Sequence, residues 1–199
     1  MARIGGVGVI DIRPLAPADM PALERLFGTT RGTAGCWCMW YIISVKEFHA
    51  GGAAANAAKF RALAAVSPLP MGLLAWIDGE PAGWAAAGPR SRYARAVNTP
   101  TLKAAAPAEH DAVWLVPCFY VRADRRRGGI ARALLEAAVD AARTAGAVAI
   151  EGFPTAGTRL GSTDRHVGTE VLFRSCGFTP VDRPSSNRVV MRRELGAAR

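Results

Sequence analysis

Hydrophobic and polar residues follow two different periods along this chain, and each change of period marks a predicted element. Short apolar runs bounded by glycine, proline or charged residues predict β-strands, whereas the stretch after Gly129 repeats its apolar residues at the spacing of an amphipathic helix. The predicted strands are residues 9–13, 71–77, 82–87, 114–121, 147–153, 178–182 and 188–194. The predicted helices are residues 17–27, 130–145 and a segment that ends at 176, and residues 36–66 are predicted to be helical or irregular.

The order of these elements indicates a mixed α/β chain with one domain, residues 1–199. The strand, helix and strand between residues 114 and 153 predict two neighbouring parallel strands, because such a crossover packs back onto the same sheet. Asp78-Gly79-Glu80 joins two apolar runs and predicts a β-hairpin. A chain of 199 residues, half of them hydrophobic, can bury a substantial core, and no linker or shift in composition predicts a second domain.

The junction between the strand 114–121 and the following helix predicts a phosphate-binding site. Gly128 and Gly129 carry no side chains that would hold a ligand away, so main-chain N–H groups at the helix start can contact a pyrophosphate. The helix dipole adds roughly half a positive charge at the same point. Four nearby arginines supply full charges suited to bidentate phosphate contacts: Arg125, Arg126, Arg127 and Arg132.

Two common phosphate-binding motifs are absent from this junction. No Gly-Lys-Ser/Thr triplet follows Gly129, as a Walker loop requires. The dinucleotide fingerprint needs three glycines in a G-x-G-x-x-G frame and an acidic residue about 20 positions later, and only its first half can be fitted here.

The junction does resemble the acetyl-CoA loop of the GNAT N-acetyltransferase superfamily, R/Q-x-x-G-x-G/A, which is matched by Arg126-Arg127-Gly128-Gly129-Ile130-Ala131. A second resemblance is the family ending L-Y/F-x-x-x-G-F, matched by Leu172-Phe173-Arg174-Ser175-Cys176-Gly177-Phe178. A third is to a bacterial GNAT subgroup with a Cys-Trp-Cys-Met-Trp segment, matched by residues 36–40. The predicted element order, βααβββαβαββ, is also similar to that of the family across essentially the whole chain.

This resemblance implies a GNAT fold, with a mixed central sheet whose fourth and fifth strands splay apart and with helices on both faces. It implies an acetyl-CoA-dependent N-acetyltransferase in which an amine attacks acetyl-CoA directly in a ternary complex. The co-substrate-binding residues that it implies are Phe119, Tyr120, Val121, Arg126, Arg127, Gly128, Gly129, Ile130, Ala131, Arg132 and Phe173.

The resemblance also implies that main-chain N–H groups beside a bulge in the central strand face the thioester. Pro117 marks a plausible bulge, because proline cannot donate to a strand ladder. The predicted donors to the oxyanion are then the main-chain groups of Cys118 and Phe119, and Val121 is predicted to pair with pantetheine.

The attacking amine must lose a proton, which predicts a general base. No carboxylate or histidine lies between residues 113 and 120, and the preferred candidate is Glu151 in the apolar strand 147–153. Partial burial there would raise the pKa of its carboxyl group. A Glu151 that simply pairs with an arginine is the alternative, and the other candidate bases are Asp111, His166 and Glu170.

The residue that would protonate the leaving thiolate differs from the family pattern. Many members carry a tyrosine four residues before the final Gly-Phe pair, and this chain has Phe173 there. A phenyl ring cannot donate a proton, so the preferred hypothesis is that the thiolate leaves unaided. The alternative acids are Tyr120, Ser175 and Tyr41.

The acceptor is predicted to be a primary amine of a small molecule, such as an antibiotic, another amine-bearing metabolite, an amino acid or a polyamine. The predicted substrate pocket includes Trp37, Trp40, Tyr41 and Glu151, although core packing explains the aromatic residues equally well. Two alternatives stay open. One is acetylation of a macromolecular amine, on a protein or a charged tRNA, and the other is a non-catalytic acyl-CoA-binding module.

The net charge of +9 comes mainly from arginine, because only three of the 25 basic residues are lysines. Nucleic acid binding is nevertheless not expected, since no zinc-finger, RRM or basic-zipper signature is present and the densest basic cluster lies at the predicted acetyl-CoA loop.

Four cysteines, at 36, 38, 118 and 176, lack the spacing of a disulfide framework or a four-ligand zinc site, so reduced thiols and no metal are expected. No apolar run approaches the roughly 20 residues of a membrane span, and no signal-peptide core opens the sequence. A cytoplasmic location is therefore expected, and a homodimer remains an open possibility.

Overall fold

A seven-stranded mixed sheet forms the centre of the computed structural model, which describes residues 9–28, 31–99, 111–157 and 166–196. The strands are β1 (Ile10–Pro14), β2 (Gly72–Ile77), β3 (Glu80–Pro89), β4 (Val113–Val121), β5 (Ala149–Gly152), β6 (Thr179–Ser185) and β7 (Arg188–Glu194). They lie in the order β1-β2-β3-β4-β5-β7-β6. The β4–β5 pair is parallel, and the other neighbouring pairs are antiparallel.

Helices cover both faces of this sheet. They are α1 (Met20–Gly28), α2 (Arg31–Cys36), α3 (Val45–Ala50), α4 (Gly52–Val66), α5 (Ala94–Asn98), α6 (Ile130–Thr144) and α7 (Glu170–Ser175). Successive side chains of β2 point to opposite faces: Leu73 packs with the core under α6, and Leu74 packs with the core under α1 and α4. Among the described residues, no helix is long and apolar enough to span a membrane.

The helix α6 buries one face against the sheet because its apolar residues recur every three or four positions. Those buried residues are Ile130, Leu134, Leu135, Ala138, Val139 and Ala142. Gly83 on β3 allows the close approach, since a Cβ there would lie 2.8 Å from the Ile130 side chain. At the other end Gly146, with a φ of 78°, ends the helix.

The strands β4 and β5 part halfway along β4. Their pairing begins at Val113 with Ala149 and stops at Leu115 with Glu151. Just beyond that point Val116 and Pro117 together oppose a single residue of β3, because the register shifts between the pairs Gly88–Leu115 and Ala86–Cys118. This is a β-bulge, which bends a strand locally. It opens a cleft between the ends of β4 and β5.

The predicted mixed sheet, its splayed fourth and fifth strands and the helices on both faces are confirmed. The region predicted as helical or irregular contains α3 and α4 and the short turn Met39–Tyr41. The five-residue helix α5 was not predicted. A helix this short is unstable by itself and is fixed by tertiary packing, here of Tyr93 and Ala96 against β4.

Candidate active site

The junction between β4 and α6 forms a left-handed turn that points main-chain N–H groups outward. Arg127 and Gly129 both have positive φ angles, 64° and 81°, and α6 begins directly after them. Glycine adopts this conformation without strain, which explains Gly129 at a position where serine or aspartate usually caps a helix. The first N–H groups of α6 lack partners inside the helix and can donate to an anion.

The arginines of this junction differ in their partners. The Arg126 Nε donates to the main-chain oxygen of Val121 at 3.2 Å, which ties the turn to the end of β4. Arg132 pairs with Glu136 on the next turn of α6 at 2.9 Å, and Arg125 lies 3.7 Å from Asp124. Within the described part of the chain, Arg126 and Arg127 have no carboxylate partner. Their positive charges are therefore available to a bound anion.

The cleft side of β4 exposes the main chain of Phe119. The oxygen of Phe119 lies 3.2 Å from the His166 Nδ1, away from β3. The main-chain groups of Arg122 face the other way, since its N–H donates to Ala82 on β3. Because these directions alternate along an antiparallel strand, the N–H groups of Phe119 and Val121 face the cleft and that of Cys118 faces β3. Of the two predicted oxyanion donors, this geometry favours Phe119.

A cavity of about 650 Å³ lies beside β4 on the face covered by α1 and α4. Seven of its lining residues are aromatic: Phe27, Trp37, Trp40, Tyr41, Phe48, Trp84 and Tyr120. The lining also includes three thiols, two arginines and a histidine: Cys36, Cys38, Cys118, Arg95, Arg188 and His166.

The aromatic residues of the predicted pocket all line this cavity. Trp37 also packs edge-on against Phe27, with ring centroids 5.2 Å apart, and is buried. Core packing and a pocket wall are therefore compatible roles for this residue. Trp40 is half-buried and carries the guanidinium of Arg95 against one face of its ring.

Glu151 does not line the cavity. Its side chain is fully buried, with one carboxylate oxygen 2.7 Å from Arg90 and the other 3.0 Å from Arg192. Both oxygens are therefore held by guanidinium groups, which is the alternative that the sequence left open. The assignment of Glu151 as the base stays a prediction, and the structure does not bring it together with Trp40 and Tyr41.

Among the other candidate bases, His166 lies in the cavity wall. Its ring stacks on Tyr120 at a centroid distance of 6.1 Å. The contact of Nδ1 with the Phe119 oxygen assigns a proton to Nδ1, because a main-chain carbonyl can only accept. Nε2 is then the basic nitrogen of the neutral ring.

Asp111 and Glu170 lie outside the cavity lining. Asp111 is exposed before the start of β4. Glu170 pairs with Arg183 and Arg174, whose hydrogen bonds lower the pKa of its carboxyl group. Both residues are therefore remote from the aromatic wall.

Phe173 on α7 is fully buried, with its ring 6.0 Å from that of Phe119 on β4 and 4.9 Å from that of Phe178. Gly152 on β5 leaves room for it, because any Cβ there would collide with the Phe173 ring. Of the alternative acids, Tyr41 and Tyr120 line the cavity. The Ser175 hydroxyl instead donates to the Leu172 oxygen at 2.8 Å within α7.

Two thiols of the cavity wall, those of Cys36 and Cys118, are held in their protonated form. Burial raises the pKa of Cys36 to about 12, and a contact with Cys38 together with burial raises the pKa of Cys118. Burial also raises the pKa of the Tyr41 hydroxyl.

All four cysteines of the chain are free. No group of three or more potential metal ligands was found among the described residues.

Arg95 is a cavity residue that no sequence pattern indicated. It lies on α5, 55 positions from its partner Trp40, and no motif surrounds it. Its place in the cavity depends on the packing of α5 beside the turn Met39–Tyr41, which no local pattern predicts.

Comparisons with known proteins agree with this fold. The family described as "Acetyltransferase (GNAT) family" matches residues 37–159. A GCN5-related N-acetyltransferase from Kribbella flavida is 21% identical with a TM-score of 0.55, over 94% of this chain and 98% of that chain. yncA from Salmonella typhimurium, solved with its cofactor acetyl-CoA, is 16% identical with a TM-score of 0.55, over 94% of each chain. The ribosomal-protein-S18-alanine N-acetyltransferase from Escherichia coli is 14% identical with a TM-score of 0.55, over 96% of each chain. No curated protein was found to match.

Proposed function

This chain belongs to the GNAT family of acetyl-CoA-dependent acetyltransferases, and we propose that its acceptor is the primary amine of a small molecule, which attacks acetyl-CoA directly in a ternary complex. The aromatic cavity beside the splayed strands is the observation that carries this proposal. Its volume of about 650 Å³ falls within the usual range of small-molecule sites. Its aromatic side chains would exclude water from the amine and the thioester.

The residues around the cleft fit acetyl-CoA. The N-terminus of α6 with Gly128 and Gly129 would receive the pyrophosphate, and Arg126 and Arg127 would add charge. The N–H groups of Phe119 and Val121 face the opening between β4 and β5, where the pantetheine arm would extend.

His166 is the base that the geometry supports best. It lies in the same cavity wall as Tyr120, and its Nδ1 contact with Phe119 orients the ring at the cleft. The Nε2 would take the proton of the attacking amine as the new amide bond forms. Glu151 is the competing candidate, and its two arginine partners argue against that role.

The Phe119 N–H would stabilise the oxyanion of the tetrahedral intermediate. The thiolate of coenzyme A then leaves as the carbon–sulfur bond breaks. Phe173 supplies no proton for this step, and we retain the hypothesis that the thiolate leaves unaided and takes its proton from solvent.

The two alternatives named from the sequence can be separated from this proposal in one assay. Coenzyme A release is measured for the protein with acetyl-CoA and a panel of primary amines, with a denatured protein mixture and with total tRNA, and products are identified by mass spectrometry. An acetylated amine from the panel is expected. Transfer to tRNA or protein alone would refute the small-molecule proposal, and tight binding of acetyl-CoA without transfer to any acceptor would favour a binding module.

A further inference from the structure

The wall of the aromatic cavity is positively charged. Arg95 and Arg188 line it, and none of its described lining residues is an aspartate or a glutamate. A wall of this kind repels ammonium groups. An aromatic face can attract a cation, but one face of Trp40 is already covered by the Arg95 guanidinium, 3.4 Å from the ring centroid. Acceptors with several positive charges, such as polyamines, are therefore poor matches.

Trp40 holds the Arg95 side chain in place at this wall. Besides the stacking contact, its Nη1 donates to the Trp40 oxygen at 3.2 Å. A guanidinium has five N–H donors, so this bond leaves most of them for another acceptor. The stack fixes the plane of the guanidinium, which reduces the entropy lost when a ligand binds.

The lack of a carboxylate partner distinguishes Arg95 from several other arginines of the chain. In the described part of the molecule no aspartate or glutamate lies within 4.0 Å of it. By contrast Arg61 pairs with Glu24 and Arg143 with Asp140, each at 2.7 Å on the surface. Arg95 is also half-buried, and this desolvation lowers its pKa. An incoming anion would offset that cost.

We propose that the acceptor is a small amino carboxylate with an apolar or aromatic body, and that Arg95 binds its carboxylate. The inference rests on the proposed function, because it specifies which amine the same cavity accepts. A planar carboxylate matches the guanidinium fork, and the aromatic wall would bury the apolar body. Arg95 is thus a specificity-determining residue, and Trp40 positions it.

The test compares phenylalanine and leucine with phenethylamine and isopentylamine, the matched amines that lack the carboxylate. The variants are Arg95→Gln and Arg95→Lys, with Arg143→Gln as a surface control for the same loss of charge. For the unaltered protein, kcat/KM is expected to be about 10- to 100-fold higher for the amino acids than for the matched amines. This ratio corresponds to the free energy of a charge-assisted hydrogen bond. Arg95→Gln should remove this preference by lowering kcat/KM for the amino acids alone. Arg95→Lys should show an intermediate preference, because lysine keeps the positive charge but lacks the planar pair of N–H donors of a guanidinium.

A binding measurement accompanies these assays. N-acetylphenylalanine should raise the melting temperature of the unaltered protein and of Arg143→Gln, but not that of Arg95→Gln. An equal loss for both substrate classes in Arg95→Gln, or faster turnover of the amines without a carboxylate, would refute the carboxylate site and leave small-molecule N-acetylation standing. Transfer only to protein or tRNA would refute both proposals together.

Discussion

Arg90 and Glu151 form an ion pair of 2.7 Å in which both side chains are fully buried. The pair joins the segment after β3 to β5 at the point where β5 leaves β4. Arg192 on β7 contacts the second carboxylate oxygen at 3.0 Å, so the Glu151 carboxylate links β5, β7 and the segment after β3. This arrangement indicates a structural role for Glu151.

Glu151→Gln and Arg90→Met should therefore have similar consequences. Each breaks the buried Arg90–Glu151 pair, which costs about 3 to 5 kcal/mol of stability. Denaturant unfolding measures this cost, and turnover is compared per folded molecule. A loss of about 10² to 10⁴ in turnover for Glu151→Gln alone, with Arg90→Met close to normal, would instead identify Glu151 as the base.

His166→Gln should cut turnover by about 10² to 10⁴, the usual contribution of a positioned base, and leave acetyl-CoA affinity unchanged. Glutamine can still donate a hydrogen bond to Phe119 but cannot take up a proton at neutral pH. Calorimetry with acetyl-CoA and single-turnover kinetics measure the two effects separately. Turnover within a few-fold of normal would show that the proton leaves by another route.

The two ends of α6 provide a matched test of the predicted phosphate-binding turn at residues 126–131, here called the cradle. Gly129 and Gly146 have similar φ angles, 81° and 78°, so an alanine at either position should cost about 1 to 2 kcal/mol in strain. Gly129→Glu adds a negative charge where the pyrophosphate would lie and should abolish acetyl-CoA binding in calorimetry. Gly146→Glu should bind normally. Equal binding by both glutamate variants would contradict the assignment of the cradle.

Phe173 tests whether the absence of a tyrosine limits the enzyme. The ring is fully buried between Phe119 and Phe178, so Phe173→Ala should cost about 3 to 5 kcal/mol of unfolding free energy. Phe173→Tyr should alter turnover only modestly if the thiolate leaves unaided. A protein that acetylates no amine until it carries Phe173→Tyr would favour the binding-module alternative.

The fold and the glycine turn before α6 were predictable because their signals are local, and the binding of a phosphate at that turn stays a prediction. Most strands are short apolar runs bounded by glycine, proline or charged residues, and Gly128 and Gly129 directly precede the helix whose N-terminus they expose. The surroundings of Glu151 were not predictable from its strand, since its partners Arg90 and Arg192 lie 61 and 41 positions away. Partial burial was expected and full burial is found, but burial alone does not distinguish a base from an ion-paired carboxylate.

The acceptor cavity illustrates the same limit. Trp40 could be suggested from its motif, whereas Arg95 reaches it only through the packing of a five-residue helix. His166 was one of several polar residues in an unpatterned loop, and its contact with Phe119 spans 47 positions. The assignment to a subgroup with a Cys-Trp-Cys-Met-Trp segment stays a prediction.

Buried thiol and phenol groups predict that stability falls in alkaline solution. Burial raises the pKa of Cys36 from its ordinary 9.0 to about 12, and it raises the pKa of Tyr41 and Tyr93 as well. Below about pH 9 the folded and unfolded chains both keep the Cys36 proton, so the full stability is present. Between pH 9 and about 12 the unfolded chain releases this proton and the folded chain retains it, so unfolding becomes easier by up to about 1.4 kcal/mol per pH unit. Urea unfolding at pH 8, 9 and 10 should therefore show a falling free energy, with a shallower fall in Cys36→Ser. The same slope in both proteins would show that the Cys36 thiol is not buried as described.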